Sequence, residues 1–146
     1  VFVIDVSTGN EPLNPMVFIN PKIIKKSGAV ISHEGCLSFP EAFTDVKRYA
    51  NVMIKALDSH GRSFVLEAKD GSLLARAIQH EFDHLDGVLF IDHVINRFEA
   101  DKVLQEHNLP PVDVDKILDE PELTAEIEEI KAKQIEKETK ELKENA

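Results

Sequence analysis

The chain has 146 residues, of which 42% are hydrophobic and 30% are charged, which is enough for one domain with a sizeable core. Its formal net charge of -10 argues against nucleic-acid binding through phosphate neutralisation, which needs clustered lysine and arginine. No apolar run approaches the roughly 20 residues that cross a bilayer, so we expect no membrane partner. Cys36 is the only cysteine, which excludes an internal disulfide and favours a reducing compartment such as the cytoplasm.

The first half of the chain reads as β-structure. It opens with the apolar run VFVIDV, and four further β-prone segments follow, at residues 16–20, 22–32, 51–57 and 64–68. The last two flank a short turn containing Gly61, which can take the positive φ that a hairpin loop demands, so they are predicted to pair antiparallel. Because an apolar run is unusual at a chain terminus, we expect a segment before Val1 to be missing.

The second half of the chain is predicted to be mainly helical. A helix begins after Ser72, a residue type that caps helix N-termini, and stops near Gly87. Residues 89–96 read as a short strand or turn, and residues 98–107 as a helix that ends before two consecutive prolines. Residues 122–145 carry glutamate and lysine at helical spacing, which predicts a largely solvated helix.

The charge distribution divides the chain into two parts. Residues 110–146 contain twelve acidic residues and six lysines, so most of the net negative charge lies there. We therefore predict a domain over residues 1–109 and an acidic, helical or flexible tail over residues 110–146.

His80 and His84 lie four residues apart in the first predicted helix, within the sequence QHEFDH. Side chains at this spacing project from one face of a helix about one turn apart, so both can hold one ion. Glu81 lies next to that face and completes an HExxH pattern. This pattern in a capped, apolar helix is typical of a metal site.

Two histidines leave a tetrahedral site one protein ligand short when water takes the fourth position. A metzincin-type third histidine would fall at position 90, which is Phe90. Alternative third ligands lie downstream of His84. Glu99, Glu106 and the acidic tail lie in segments that look solvated, and Asp92 and His93 would need a sharp reversal of the chain to reach the metal. Cys36, in the sequence EGCLS, is the stronger candidate because its thiolate suits divalent transition metals and Gly35 before it allows close backbone approach.

EGCLS, followed some 40 residues later by QHEFDH and then by HLDGVLFID, resembles the peptide deformylase family over roughly residues 1–95. The resemblance implies an α+β fold whose antiparallel strands pack around a central HExxH helix, here followed by a charged helical extension. It implies that Cys36, His80 and His84 hold one divalent ion, expected to be Fe²⁺, with Zn²⁺, Ni²⁺ or Co²⁺ as substitutes. The implied reaction removes the formyl group from the N-terminal methionine of new polypeptides and releases formate.

The resemblance also implies roles for neighbouring residues. Glu81 would accept a proton from the attacking water and return it to the leaving amine, while the Leu37 backbone N–H would stabilise the oxyanion. Gly35 would pair its backbone with an extended peptide substrate. Leu73 and Ala77, seven and three residues before His80 on the same helical stripe, are predicted to wall a pocket for the methionine side chain, with core packing as the alternative for Leu73.

A buried acid at Glu34 would need a cation to balance it. Either Arg48 or Arg76 can supply that charge, and the sequence alone does not choose between them.

The chain departs from the family pattern in two places. It lacks the GxGLAAxQ-type motif that supplies a second oxyanion donor in family members, so activity of the chain alone is an open prediction. Its tail is acidic, whereas a helix that docks on the ribosome is expected to be basic near RNA, which argues against ribosome binding.

Two other functions stay open at this stage. One is a zinc endopeptidase that uses the HExxH helix without Cys36 as a ligand. The other is an inactive metal-binding fragment. We expect a bacterial-type cytoplasmic protein, and an organellar origin also stays open.

Overall fold

The computed structural model describes residues 1–146. Four strands form an antiparallel sheet in sequence order, namely β1 (Phe2–Ile4), β2 (Met16–Cys36), β3 (Phe39–Leu57) and β4 (Ser63–Ala68). Three α-helices follow, α1 (Leu73–Leu85), α2 (Arg97–Glu106) and α3 (Pro121–Glu144), with 3₁₀ turns at Phe90–His93 and Val114–Lys116. The mixed α and β architecture agrees with the predicted class. None of the helices combines the length and apolar character needed to cross a membrane.

The β2–β3 hairpin is much longer than the sequence predicts. Residues 16–20 and 22–32, which look like separate segments, lie in one strand that continues to Cys36. Pro21 is tolerated because the pairing register with β3 shifts between Ile19 and Lys22, where a missing N–H donor costs no ladder bond. The hairpin therefore carries Cys36 to its tip, where it pairs with Phe39.

Helix α1 begins and ends where the sequence predicts. The Ser72 hydroxyl accepts a hydrogen bond from the Ala75 N–H at 3.2 Å, and Gly87 follows the last turn with a φ of 73°. Ala75 and Ile78 are fully buried in a cluster formed with residues of β1 to β4. This packing holds the helix against the sheet and fixes the turn that carries His80 and His84.

A second hydrophobic cluster lies under the hairpin tip. Its buried members are Phe39, Ala42, Val46, Phe90, Ile91, Val94, Ala100, Leu104 and Val112. Residues 90–93 form a 3₁₀ turn, one of the two possibilities that the sequence predicts, and Val94 then bridges to Val46. Cys36 is half-buried and packs against this cluster.

Helix α3 is buried at its beginning and exposed afterwards. Leu123 and Ile127 are each 2% exposed, and the Lys47 ammonium donates to the Thr124 hydroxyl at 3.1 Å. Residues 131–146 are exposed throughout, as the charge pattern predicts. The division of the chain after residue 109 stays a prediction, although Val112 and the first turns of α3 pack on the preceding residues.

Candidate metal centre

The structure brings Cys36, His80 and His84 together. One ligand atom from each lies within 4.8 Å of the others, and the Cys36 Sγ is 3.8 Å from the His84 Nε2. The two imidazole rings are 4.9 Å apart between centroids and nearly perpendicular, at 84°. Two consecutive turns of α1 and the tip of β2 therefore converge on one point.

This donor set fits a divalent transition metal. Zinc-type bond lengths of about 2.0–2.3 Å put the ligand atoms of a tetrahedral site roughly 3.5 Å apart, close to the Cys36–His84 distance. One thiolate and two imidazoles also leave a fourth position open for water or substrate. The residues that would hold the ion are the three that the sequence predicts.

Glu34 orients His80. The His80 Nδ1 lies 3.0 Å from the Glu34 Oε1, and since an ionised carboxylate can only accept, Nδ1 carries the proton and Nε2 keeps its lone pair for a metal. Arg48 donates to both Glu34 oxygens, at 2.9 and 2.8 Å. Burial alone would raise the pKa of Glu34, but the hydrogen bonds from Arg48 and His80 hold it at about 2.

The Cys36 thiol is biased towards its ionised form. Partial burial opposes this, but hydrogen bonding by the Ser38 backbone and by His80 lowers the pKa of Cys36 below its usual value. The pKa of His80 is raised, mainly by its hydrogen bond to Glu34. Metal binding requires the thiolate and the neutral imidazole, so the lowered pKa of Cys36 favours an ion, whereas the ion would have to displace a proton from His80.

A pocket of about 270 Å³ opens beside these ligands. It is lined by Ser32, His33, Glu34, Gly35, Leu73, Arg76, Ala77, His80 and Glu81. The predicted substrate residues and Glu81 therefore share one cavity wall. Leu73 is 54% exposed, so it lines the pocket and is not core.

Gly35 and Leu37 lie on either side of Cys36 near the hairpin tip. A Cβ at position 35 would lie 2.6 Å from the Phe43 ring, so this position needs glycine while the ring stays where it is. Leu37 lies in the turn between β2 and β3 and its side chain is fully exposed, outside the pocket lining. Its predicted role involves only the backbone N–H.

The residues considered as alternative third metal ligands make other contacts or line another surface. The Asp92 carboxylate accepts from the Leu89 N–H, and both ring nitrogens of His93 contact carboxylates. Glu99 and Glu106 line a separate groove on α2. A larger cavity of about 600 Å³ contains none of the predicted site residues, and its wall includes Arg48, Asp83, His93 and Glu120.

Sequence reasoning missed Asp83 and Glu120, considered His93 only as an alternative metal ligand, and left the partner of Glu34 unassigned. Arg48 is that partner, whereas Arg76 donates to the Gly71 carbonyl and the Ser32 hydroxyl. Arg48 lies in the first part of β3, before the segment at residues 51–57 that the sequence predicts, so the inward direction of its side chain was not foreseen.

The fold and the site together place the chain in the class of mixed α and β proteins with a thiol and two imidazoles arranged as metal ligands. The family model for polypeptide deformylase matches residues 1–100, and the chain belongs to this family.

Relatives with curated names agree with this assignment. Peptide deformylase 1 of Clostridium perfringens is 54% identical over 93 residues, covering 64% of this chain and 60% of that protein. The peptide deformylase of Pseudoalteromonas translucida is 51% identical over 94 residues, covering 64% and 54%. The chain thus spans little more than half the length of these relatives.

Solved structures show the same fold. A peptide deformylase from Synechococcus elongatus, in complex with actinonin, superposes with a TM-score of 0.63 at 42% identity, covering 71% of this chain and 55% of that one. The enzyme from Legionella pneumophila gives a TM-score of 0.61 at 36% identity, covering 73% and 62%.

Proposed function

We propose that this chain carries the catalytic centre of a peptide deformylase, which removes the N-formyl group from the N-terminal methionine of new polypeptides and releases formate. The observation that carries the proposal is the convergence of ligand atoms from Cys36, His80 and His84 within 4.8 Å of one another. The adjoining pocket supplies a carboxylate, Glu81, beside them. In the proposal the helix with the HExxH pattern is the central element of the complete enzyme.

The proposed cofactor is one divalent ion, Fe²⁺ by the family resemblance, with Zn²⁺, Ni²⁺ and Co²⁺ as substitutes. When bound, such an ion lowers the pKa of a coordinated water towards neutrality and polarises a carbonyl oxygen. The mixed thiolate and imidazole donor set supports this group of metals and not Ca²⁺ or Mg²⁺, which prefer oxygen ligands.

The proposed proton transfers belong to Glu81. Its carboxylate would take a proton from the attacking water and deliver it to the amine that leaves. The Leu37 backbone N–H, next to Cys36 in the chain, would donate to the oxyanion that forms at the formyl group.

The proposed substrate is an extended peptide that begins with formyl-methionine. Its backbone would pair with β2 at Gly35, and its methionine side chain would enter the pocket walled by Leu73 and Ala77. The open edge of β2 next to the pocket supports this arrangement, because β1 pairs only with residues 16–18 of that strand.

The proposed setting is the cytoplasm of a bacterial-type cell, which the single free cysteine and the bacterial relatives support. The catalytic part is proposed to end at residue 109 and the acidic tail to begin there. The net negative charge of that tail argues against a ribosomal partner.

The test is formate release from a formyl-methionyl peptide by the chain purified without oxygen and loaded with Fe²⁺ or Ni²⁺. We expect turnover by the parent chain. We also expect Glu81→Gln to keep full metal occupancy while its rate falls by about 10²- to 10⁴-fold, because a positioned general base contributes that much.

Near-parental turnover by Glu81→Gln at full occupancy would contradict the assigned role. Cleavage of internal peptide bonds, together with unchanged metal binding in Cys36→Ser, would instead support the endopeptidase alternative.

A further inference from the structure

His93 lies between two carboxylates in the protein interior. Its Nε2 is 2.8 Å from the Asp83 Oδ2 and its Nδ1 is 2.7 Å from the Glu120 Oε1, with the imidazole only 8% exposed. Carboxylates accept and cannot donate when ionised, so only the imidazolium form satisfies both contacts. Burial opposes the charged form, but Asp83 and Glu120 outweigh it and raise the pKa of His93.

Asp83 connects this histidine to the metal centre. The Arg48 Nη1 donates to the same Asp83 oxygen at 2.6 Å, while the rest of the guanidinium holds Glu34. Glu34 in turn holds the Nδ1 of the ligand His80. Five consecutive contacts of 2.6 to 3.0 Å therefore run from His80 to Glu120.

The charges along this chain of contacts alternate. Glu34, Asp83 and Glu120 are acidic, and Arg48 and His93 lie between them, with side-chain exposures from 2% to 20%. Arg48 and His93 each divide their hydrogen bonds between two acids. In a partly dehydrated interior, removal of one charge therefore changes the interactions of the neighbouring charged group. Loss of Glu120 would leave His93 with one acid, which should weaken the contact of His93 with Asp83 and draw Arg48 from Glu34 towards Asp83.

Glu120 lies outside residues 1–100, the range that the family model matches, and immediately before α3. Its position is fixed by several neighbours. The Leu118 N–H donates to the Asp92 carbonyl at 2.9 Å, the Lys47 ammonium donates to Thr124, and Leu123 is buried. The acid is thus held in place and is not a mobile surface group.

We propose that Glu120 is a positioning residue for the metal centre, acting through His93, Asp83 and Arg48 on the Glu34 carboxylate that orients His80. The beginning of α3 then supports the metal site, although none of its residues is among the candidate ligands. This proposal rests on the proposed metal site but not on the deformylase reaction.

The experiment measures Co²⁺ binding to the full-length chain by its absorption spectrum, with the dissociation constant as the readout. We expect Glu120→Gln to weaken Co²⁺ binding by about three- to tenfold, somewhat less than the 10- to 100-fold typical when a direct partner of a ligand is lost. Glu122→Gln is the matched control, because Glu122 is exposed and makes no side-chain hydrogen bond. It should leave Co²⁺ binding unchanged.

A second comparison tests the route. In a His93→Gln background, Glu120→Gln should have no further effect on the dissociation constant, because the connection is already broken. Thermal unfolding of the metal-free proteins reports any general loss of stability, and the non-additivity on Co²⁺ binding is a signature that such a loss does not produce.

Equal Co²⁺ affinities for Glu120→Gln and Glu122→Gln would overturn the proposal, as would a full Glu120→Gln effect in the His93→Gln background. If His93→Gln does not fold, the comparison of the two glutamate variants decides alone. Co²⁺ binding with the expected pattern but no formate release would leave this proposal standing and overturn the proposed deformylase activity of the chain. Failure of the parent chain to bind Co²⁺ would overturn both.

Discussion

Arg48 is the largest fully buried side chain of the protein, at 2% exposure, and it carries a full charge. Glu34 and Asp83 compensate this charge with three hydrogen bonds from the guanidinium. Loss of either acid should destabilise the fold, because the cost of removing the Arg48 charge from water remains when its partner is gone.

Glu34→Gln should therefore destabilise the metal-free protein strongly. We expect a loss of about 3–5 kcal/mol in the free energy of unfolding, the range for breaking a buried ion pair. Urea unfolding measures it. The exposed pair of His33 and Asp45 offers the control, since Asp45→Asn should change stability by less than about 1 kcal/mol. Similar effects of the two substitutions would contradict the buried-charge argument.

The low pKa of Glu34 also predicts how stability depends on pH. Its carboxyl has a pKa of about 2 in the folded chain against an ordinary value of 4.5, so its stabilising contribution is complete above pH 4.5. That contribution, on the order of 3 kcal/mol, should be lost as the pH falls from 4.5 to 2. Thermal unfolding of the metal-free protein across this range measures it, and Glu34→Gln should flatten the curve. An equally steep curve in the variant would assign the acid sensitivity to other carboxyls.

Among the elements, α1 is the one that the sequence predicts best. Ser72 and Gly87 mark its ends through local hydrogen bonding and a positive φ, and both signals depend only on neighbouring residues. The HExxH spacing then places two candidate ligands on one face of the helix without any tertiary information. The thiolate chemistry and sequence context of Cys36 favoured it as the third donor, and the structure brings it beside the two histidines, but its role as a ligand stays a prediction.

Strands β2 and β3 were predicted less well, since their length depends on pairing with each other. Pro21 looks like an interruption, yet a register shift beside it lets the pairing with β3 continue past it. Residues 39–50 show no strong strand pattern of their own. The contacts of Arg48, His93 and Glu120 join residues far apart in the chain, and no local pattern encodes them.

The cap of α1 gives a test at this scale. Ser72→Ala should lower the free energy of unfolding by about 1 kcal/mol, because the Ala75 N–H loses its acceptor. Chemical denaturation measures the change, and Ser72→Asp, which can also cap, should restore most of it. A loss as large for Ser72→Asp as for Ser72→Ala would show that the cap is not the cause.

On the scale of the whole molecule, the beginning of α3 is part of the core and the rest of the helix is exposed to solvent. Its first two turns bury Leu123 and Ile127 against the sheet, while residues 131–146 contact little. A charged helix without packing partners depends on its own glutamate and lysine pairs, such as Lys137 with Glu141, and these contribute little in water.

Two isoleucines on this helix provide a matched pair. Ile127→Ala should cost about 2–5 kcal/mol, as expected for truncating a buried aliphatic side chain. Ile135→Ala, at a site that is 64% exposed, should change stability by less than about 0.5 kcal/mol. Urea unfolding compares the two. Equal effects would mean that the distal part of α3 is packed in solution.

The position of Cys36 at the tip of the long hairpin has a consequence for folding. Cys36 and His84 are separated by 48 positions, so an ion held by both would close a long loop. By analogy with a covalent cross-link over that span, the closure would remove on the order of 4 kcal/mol of chain entropy from the denatured ensemble. The proposed metal ligands would then also stabilise the fold, because the ion would join the β2–β3 hairpin to helix α1, which is synthesised after it.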